Sequence, residues 1–397
     1  MPRRIKLIVA VATLLLLVPA QAPAYSVLTH EAVVDAAWDS AIKPLLHARF
    51  PKATEEQLET ARAYAYGGSV IHDLGYYPFG SRLFSNLLHY VRSGDFVEAL
   101  IRNAQDVNEL AFAIGALAHY AADNTGHPVA INRAVPTMYP KLKAKFGPDV
   151  TYVQAPKQHL AVEFAFDVVQ VAGGAYAPAA FHRFIGFEIA EPLLERTFVE
   201  VYGVEMGDLF MDRSLAVGTF RHAVAQTIPE MTKAAWKNKR EEIEKITPGA
   251  TQTSFVFNLS RQQYEQQFGR DYARPHGLAR VVGWLYRILP KVGPFRALAF
   301  HVPTPEAEQM FLTSFTQTKE SFGQELRLAR ARTLTVADTN LDVGKPLARG
   351  RYSLADETYD DLLAKLRKRN FEGAPAALMT DLRRHYGDAL RVTGSPP

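Results

Sequence analysis

Cysteine is missing from all 397 residues. Its absence removes disulfide scaffolds, thiol nucleophiles, cysteine-ligated zinc and a lipid-modified N-terminal cysteine in one step. Any metal must therefore be held by nitrogen and oxygen. Strand-like alternation of apolar and polar residues is scarce, and neither an internal repeat nor a low-complexity segment occurs. With 48% hydrophobic and 22% charged residues, disorder is excluded as the main state. A real surplus of one charge is also lacking. The formal +4 includes Arg3, Arg4 and Lys6, and without these three the 45 basic residues become 42 against 41 acidic ones. Bulk basicity is thus no argument for a nucleic-acid partner.

Those three charges precede the apolar run Leu7 to Val18 and then small residues, the three-part pattern of a secretory signal peptide over residues 1–24. The run is too short to span a bilayer as a helix. Two small-x-small triplets compete for cleavage, Ala20-Gln21-Ala22 and Ala22-Pro23-Ala24. Cutting after the first would leave Pro23 at the scissile bond and hinder the peptidase. Cleavage after Ala24 is expected, giving a mature chain that starts at Tyr25 and is exported to the periplasm or beyond.

Apolar residues recur at helical spacing along the mature chain, which predicts an all-α protein. The clearest stretch runs from Phe96 to Asp123, read as one long buried helix. Others are expected near 30–48, 55–67, 157–172, 187–202, 214–244, 260–268, 305–330, 356–369 and 375–389, separated by Gly and Pro. The polar stretch Thr247 to Ser254 is the best boundary, dividing a helical domain over 25–246 from a smaller, mostly helical region over 255–397.

Candidate chemistry is concentrated early in the mature chain. His119 and Asp123 are four residues apart on the long helix, so both project from one face, one turn apart, as two ligands of one metal require. Gly126 and Pro128 end that helix, which leaves His127 beyond its C-terminus, able to face a different metal. His159 and Glu163 form a second pair at the same spacing. Either pair alone is commonly a surface ion pair. Their setting argues otherwise, because GALAHYAAD and HLAVEFAFD are apolar segments, and a buried imidazole or carboxylate is costly unless hydrogen-bonded or metal-bound.

Taken together, Tyr25, His30, Asp73 in SVIHDLGYYP, His89 in LLHY, the H-x-x-x-D pair His119 and Asp123, His127, and the H-x-x-x-E pair His159 and Glu163 resemble the zinc-dependent phospholipases C. That family shares a helical tri-zinc fold with fungal single-strand nucleases and with glycosylphosphatidylinositol phospholipase D. The resemblance covers about residues 25–165. It implies about three zinc ions per chain. Asp73, His89, His119 and Asp123 would hold one, and His127, His159 and Glu163 another. The third would be bound by His30, the shared Asp123 and the amine and carbonyl of Tyr25. The family's histidine after the bridging aspartate lies six residues on in its bacterial phospholipases and four residues on here, closer to the phospholipase D branch.

The chemistry so implied is phosphodiester hydrolysis, most simply of phospholipids, by a hydroxide that the carboxylate-bridged zinc pair makes acidic enough to form at neutral pH. Asp123 would be the catalytic bridge. Asp73 would be a ligand that also orients or deprotonates the attacking water. A nuclease or nucleotidase on the same metals, or a zinc-binding surface protein without turnover, are the alternatives. Tyr76, Tyr77, Phe79 and Phe84 could wall the site for a base or cationic head group, although core packing is the default for them. His72 is expected to be held by backbone. His47, His182, His222, His276, His301 and His385 have no partners in the motif and read as structural or surface residues. The apolar, basic and aromatic stretch Val281 to Phe300 either packs between the two parts of the chain or lies on a membrane surface.

Overall fold

The structure, a computed structural model, describes residues 27–167, 169, 187–224, 228–246, 249, 251 and 301–387. The leader, Tyr25, most of the expected boundary, the helix expected at 260–268, His182, His276 and the stretch Val281 to Phe300 lie outside the described residues. Within them the fold is all-α: no strand forms, and a single isolated bridge joins Asn340 to Lys345. The helices are α1 (Val27–Ala37), α2 (Lys43–Arg49), α3 (Glu55–Val70), α4 (Arg82–Tyr90), α5 (Ser93–Asn103), α6 (Val107–Gly126), α7 (Asn132–Met138) and α8 (Pro140–Phe146). They continue as α9 (Pro156–Phe166), α10 (Glu191–Tyr202), α11 (Arg213–His222), α12 (Ile228–Ile246), α13 (Pro305–Ala331), α14 (Ser353–Lys368) and α15 (Ala376–Tyr386). No helix among the described residues is long and apolar enough to cross a membrane.

Helix α6 is the axis on which the site is built, and it is buried along nearly its whole length. It starts at Asp106, whose side chain accepts a hydrogen bond from the Glu109 amide at 2.9 Å. That cap breaks the single helix expected over Phe96 to Asp123 into α5 and α6, because Ala104 and Asp106 adopt extended backbone. An apolar periodicity can run through such a break, since both helices bury the same kind of face. Likewise, the stretch expected as one helix over 214–244 comprises α11 and α12, and Lys239 kinks the latter.

Helix α3 crosses α6 at a distance that only glycine permits. A Cβ at Gly68 would lie 1.9 Å from the Phe112 carbonyl, and one at Gly115 would lie 1.9 Å from the Ala65 carbonyl. Backbone therefore meets backbone, which brings the end of α3 against the face of α6 that carries His119.

On the far side of the expected boundary, α13 lies along α6. Its buried Ala307, Phe311, Phe315, Phe322 and Leu326 belong to the same continuous core as the N-terminal helices. Phe311 stacks on Phe166 of α9 with ring centroids 4.6 Å apart. The reason is local: α13 is a 27-residue helix whose apolar residues recur at i, i+3, i+4 spacing, and it needs a partner surface for that stripe.

Candidate metal centre

Six elements each bring ligand-type side chains to one end of the interior. His30 rides on α1, whose first turn is anchored from across the chain. Asp167 accepts hydrogen bonds from the amides of Leu28 and Thr29, both at 2.9 Å, and from the Thr29 hydroxyl. A carboxylate there satisfies the orphan donors of a helix start and favours its dipole. Asp73 sits on the 3-10 turn Ile71–Tyr76, and the Gly75 amide donates to Ser85 Oγ of α4 at 2.8 Å. Helix α4 in turn carries His89. His119 and Asp123 occupy one face of α6.

Where α6 ends, the chain does not leave the helical path. It loosens into a π-helical turn, His127–Ile131, with Pro128 inside it and so with one backbone donor missing. That turn re-aims His127 relative to Asp123, as wide turns often do at functional sites. Helix α9 supplies His159 and Glu163.

The resulting distances form three clusters, in each of which one ligand atom per residue lies within 4.8 Å of the others: His30, His119 and Asp123; Asp73, His89 and His119; His127, His159 and Glu163. All these side chains are buried. Asp123 faces two ways. Its Oδ1 is 3.6 Å from His30 Nε2, while its Oδ2 is 3.1 Å from His119 Nε2 and 3.5 Å from His89 Nε2. His89 Nε2 is also 3.7 Å from Asp73 Oδ1, and His159 Nδ1 is 3.8 Å from Glu163 Oε1.

None of these contacts is aligned as a hydrogen bond. Both oxygens of Asp73 and of Asp123, Nε2 of His89 and His119, Nδ1 of His159 and Oε1 of Glu163 have no hydrogen-bond partner. The opposite nitrogen of each of these histidines, by contrast, donates to a backbone carbonyl. His89 Nδ1 donates to Ser85 at 2.8 Å, His119 Nδ1 to Ser69 at 2.9 Å and His159 Nε2 to Val150 at 2.5 Å. This is how a metal-binding imidazole is oriented, one nitrogen held from outside and the other aimed inward. The Ser69 carbonyl is in place because Gly68 lets α3 approach α6.

The electrostatics point the same way. Among the described residues no lysine or arginine pairs with Asp73, Asp123 or Glu163. Burial pushes Asp73 and Glu163 well above the ordinary carboxylate range, with the neighbouring Asp123 adding to both. Asp123 itself is held well below: burial opposes its charge, but His119, His89 and His30 around it outweigh that. His89 is raised against its own burial by the Asp123 carboxylate. Burial lowers His30 and His127, and takes His159 down to about 3. Zinc fits these residues: the donors are nitrogen and carboxylate oxygen, the inward atoms lack other partners, and the buried carboxylates lack a cation.

His72 belongs to none of the clusters. It is buried and stacks on His119 with ring centroids 4.1 Å apart, opposite His30, which stacks on His119 at the same distance. Neither of its nitrogens has a hydrogen-bond partner, so it is held by packing and not by backbone as expected. Of the aromatic residues, Phe84 packs on Phe198 and Phe210, and Tyr77 on Phe220. Tyr76 lies by the centre, its ring centroid 5.7 Å from that of His89. His385 is a structural residue stacked on Tyr359 at 3.8 Å.

Two residues that spacing did not single out touch this site. Asp167 anchors α1, and lies four residues beyond Glu163, a spacing that could have flagged it. Asp342 lies 3.3 Å from His127, Oδ1 to Nε2, and nothing in TNLDVG marks it. The family model described as zinc-dependent phospholipase C matches residues 29–212. No curated protein and no solved structure matches the chain.

Proposed function

Since residues 29–212 belong to the zinc-dependent phospholipase C family, we propose that the chain is an exported tri-zinc phosphodiester hydrolase acting on phospholipids. The observation that carries this reading is the two-faced Asp123, each of whose oxygens addresses a different histidine set with no hydrogen bond to either. Asp73, His89, His119 and Asp123 would hold one zinc, and His127, His159 and Glu163 another. His30, Asp123 and the amine and carbonyl of Tyr25 would hold the third, with cleavage after Ala24 supplying that amine. Bound zinc supplies Lewis acidity toward a phosphoryl oxygen and makes water acidic enough to react at neutral pH.

The protein's own share is positioning and proton management. Helix α6 fixes His119 and Asp123 on one rigid face, and the Ser69 and Ser85 carbonyls lock the His119 and His89 rings, so the site needs no reorganisation as charge develops. Asp73 Oδ1 faces His89, which would leave Oδ2 to orient a water and accept its proton. Asp123, held ionised, stays a ligand.

The test is hydrolysis of phosphatidylcholine vesicles by the purified mature protein loaded with zinc, followed as release of the phosphorylated head group and diacylglycerol. Single-stranded DNA and an activated phosphodiester serve as parallel substrates. Release from vesicles alone supports the phospholipase reading. Cleavage of DNA in its place moves the activity to a nuclease, and inertness toward all three makes the chain a zinc-binding protein without turnover.

A further inference from the structure

We propose that Asp342, which lies outside the family match, is a fourth protein ligand of the His127 centre, binding through Oδ1 beside His127, His159 and Glu163. This rests on the tri-zinc reading above and extends it to the C-terminal part of the chain.

The carboxylate is delivered by a segment without regular structure that is stitched to the helices carrying the site. The Val336 amide donates to Glu98 at 2.7 Å, and Asp338 Oδ1 accepts from the amides of Gly94 and Asp95, both at 3.0 Å, at the start of α5. Tyr120 of α6 donates to the Ala337 carbonyl at 2.6 Å. Thr339 exchanges hydrogen bonds with Ser93, and the Leu341 amide donates to the carbonyl of His89 itself at 3.1 Å. Backbone outside helices and strands is rarely buried, because its polar groups need partners. Here the Val336, Thr339 and Leu341 amides and the Ala337 and Thr339 carbonyls find theirs on the helices of the site.

Asp342 is held as tightly. Its amide donates to Asn340 Oδ1 and its carbonyl accepts from Asn132, both at 2.9 Å. The residue is 4% exposed. Its Oδ2 accepts from the hydroxyls of Tyr90 and Tyr352. What remains is Oδ1, 3.3 Å from His127 Nε2, and that contact is not aligned as a hydrogen bond, so both His127 nitrogens lack a hydrogen-bond partner.

The separation decides the role. Two donors of one tetrahedral zinc, each about 2.0–2.1 Å from it, lie about 3.3 Å apart. Contacts between inward donors in the other clusters run from 3.1 to 3.8 Å and are likewise unaligned. By contrast, the histidine nitrogens that face outward make aligned bonds of 2.5 to 2.9 Å. The Asp342 contact belongs to the first class. With it the His127 centre has four protein ligands, two imidazoles and two carboxylates, which is the pattern of a closed metal site. The paired centre is then left to provide the open positions for water and substrate.

The experiment compares full-length mature wild type with Asp342→Asn, an isosteric change whose amide oxygen can still accept from the tyrosines, and with His159→Ala as the reference for loss of this metal. Zinc content after dialysis against a chelator, circular dichroism and the visible absorption of the cobalt-substituted proteins are measured. Wild type should retain three zincs and Asp342→Asn two, as His159→Ala does, with helical content unchanged. Release of the third metal should be faster by more than the roughly 10–100-fold expected when only an outer contact to a ligand is removed. Under saturating cobalt, the tetrahedral absorption should weaken in Asp342→Asn as water replaces the carboxylate. Three zincs held as firmly as in wild type, or an unchanged cobalt spectrum, would overturn the assignment of Asp342 and leave the tri-zinc reading standing. A wild-type chain with no zinc at His127 would overturn both.

Discussion

The paired centre around Asp123 and the lone centre around His127 are assembled differently. In the first, one carboxylate and one imidazole are shared: Asp123 reaches His30, His89 and His119, and His119 belongs to two clusters. All described members fall between His30 and Asp123. In the second nothing is shared, and its residues come from a π-helical turn, from α9 and, at Asp342, from a segment more than 170 residues further along. Sharing would make the paired centre indivisible, so that one substitution should disable two metal positions. The lone centre can be emptied by itself.

Asp123→Asn tests that indivisibility and should have the largest effect. Zinc content should fall by two, and hydrolysis by about 10³-fold or more, since several kcal/mol of charge stabilisation are lost at tenfold per 1.36 kcal/mol. Helical content by circular dichroism should persist, because α6 is held by Gly115 packing and an apolar core and not by this carboxylate. Turnover near that of wild type would mean that the reacting water is activated elsewhere.

A smaller effect is expected at the chain start, where the paired centre depends on processing. An α-amine titrates near pH 8, so zinc can displace its proton at neutral pH, and the adjacent carbonyl closes a five-membered chelate. One residue added ahead of Tyr25 replaces that amine with a peptide nitrogen. Such a chain should fold, contain one zinc fewer and lose more in rate than the roughly 10–100-fold expected when only an outer contact to a ligand is removed. N-terminal sequencing of the exported protein checks the start at Tyr25, and equal rates with and without the extra residue would remove the amine from the site.

The same contrast explains what was legible in the sequence. Pairs at i, i+4 on apolar helices, His119 with Asp123 and His159 with Glu163, announce themselves because helix geometry fixes their approach. His89 is legible from its motif although its nine-residue helix α4 is not, being too short for a clear period. The break at Asp106 was hidden because α5 and α6 bury similar faces, and the cap is a property of a few side chains. Asp342 could not be read at all. Its place depends on hydrogen-bonding groups spread from His89 to Tyr352, and no local spacing encodes that.

Glu163 separates what the metal contributes from what burial costs. Burial raises its pKa well above 4.5, so the metal-free folded protein keeps a proton that the unfolded chain has lost. The sign follows: this contribution to stability is complete below pH 4.5 and declines as pH rises toward the folded value. Metal-free Glu163→Gln should therefore match wild type near pH 4 and exceed it at pH 8, by about 1–3 kcal/mol, the cost of an unsatisfied buried polar group. With zinc present the order should reverse, since the amide binds zinc poorly. Denaturant unfolding at both pH values, with and without metal, makes the check, and a stability advantage that persists in zinc would exclude Glu163 as a ligand.

Glu325 on α13 is a largely buried carboxylate outside the three clusters. Its carboxyl is pushed to about 8 by burial alone, and Oε2 has no hydrogen-bond partner. No imidazole cluster faces it. A raised folded pKa again means stability that is complete below pH 4.5 and lost as pH rises through about 8. Glu325→Gln should thus be neutral near pH 4 and stabilising at pH 8 and above. Because the residue is partly exposed, the gain is discounted to about 1 kcal/mol, or roughly 2 °C in Tm. Unlike the gain at Glu163, it should be the same with and without zinc. A Glu325→Gln advantage that disappears on adding zinc would show that this carboxylate, too, takes part in holding a metal.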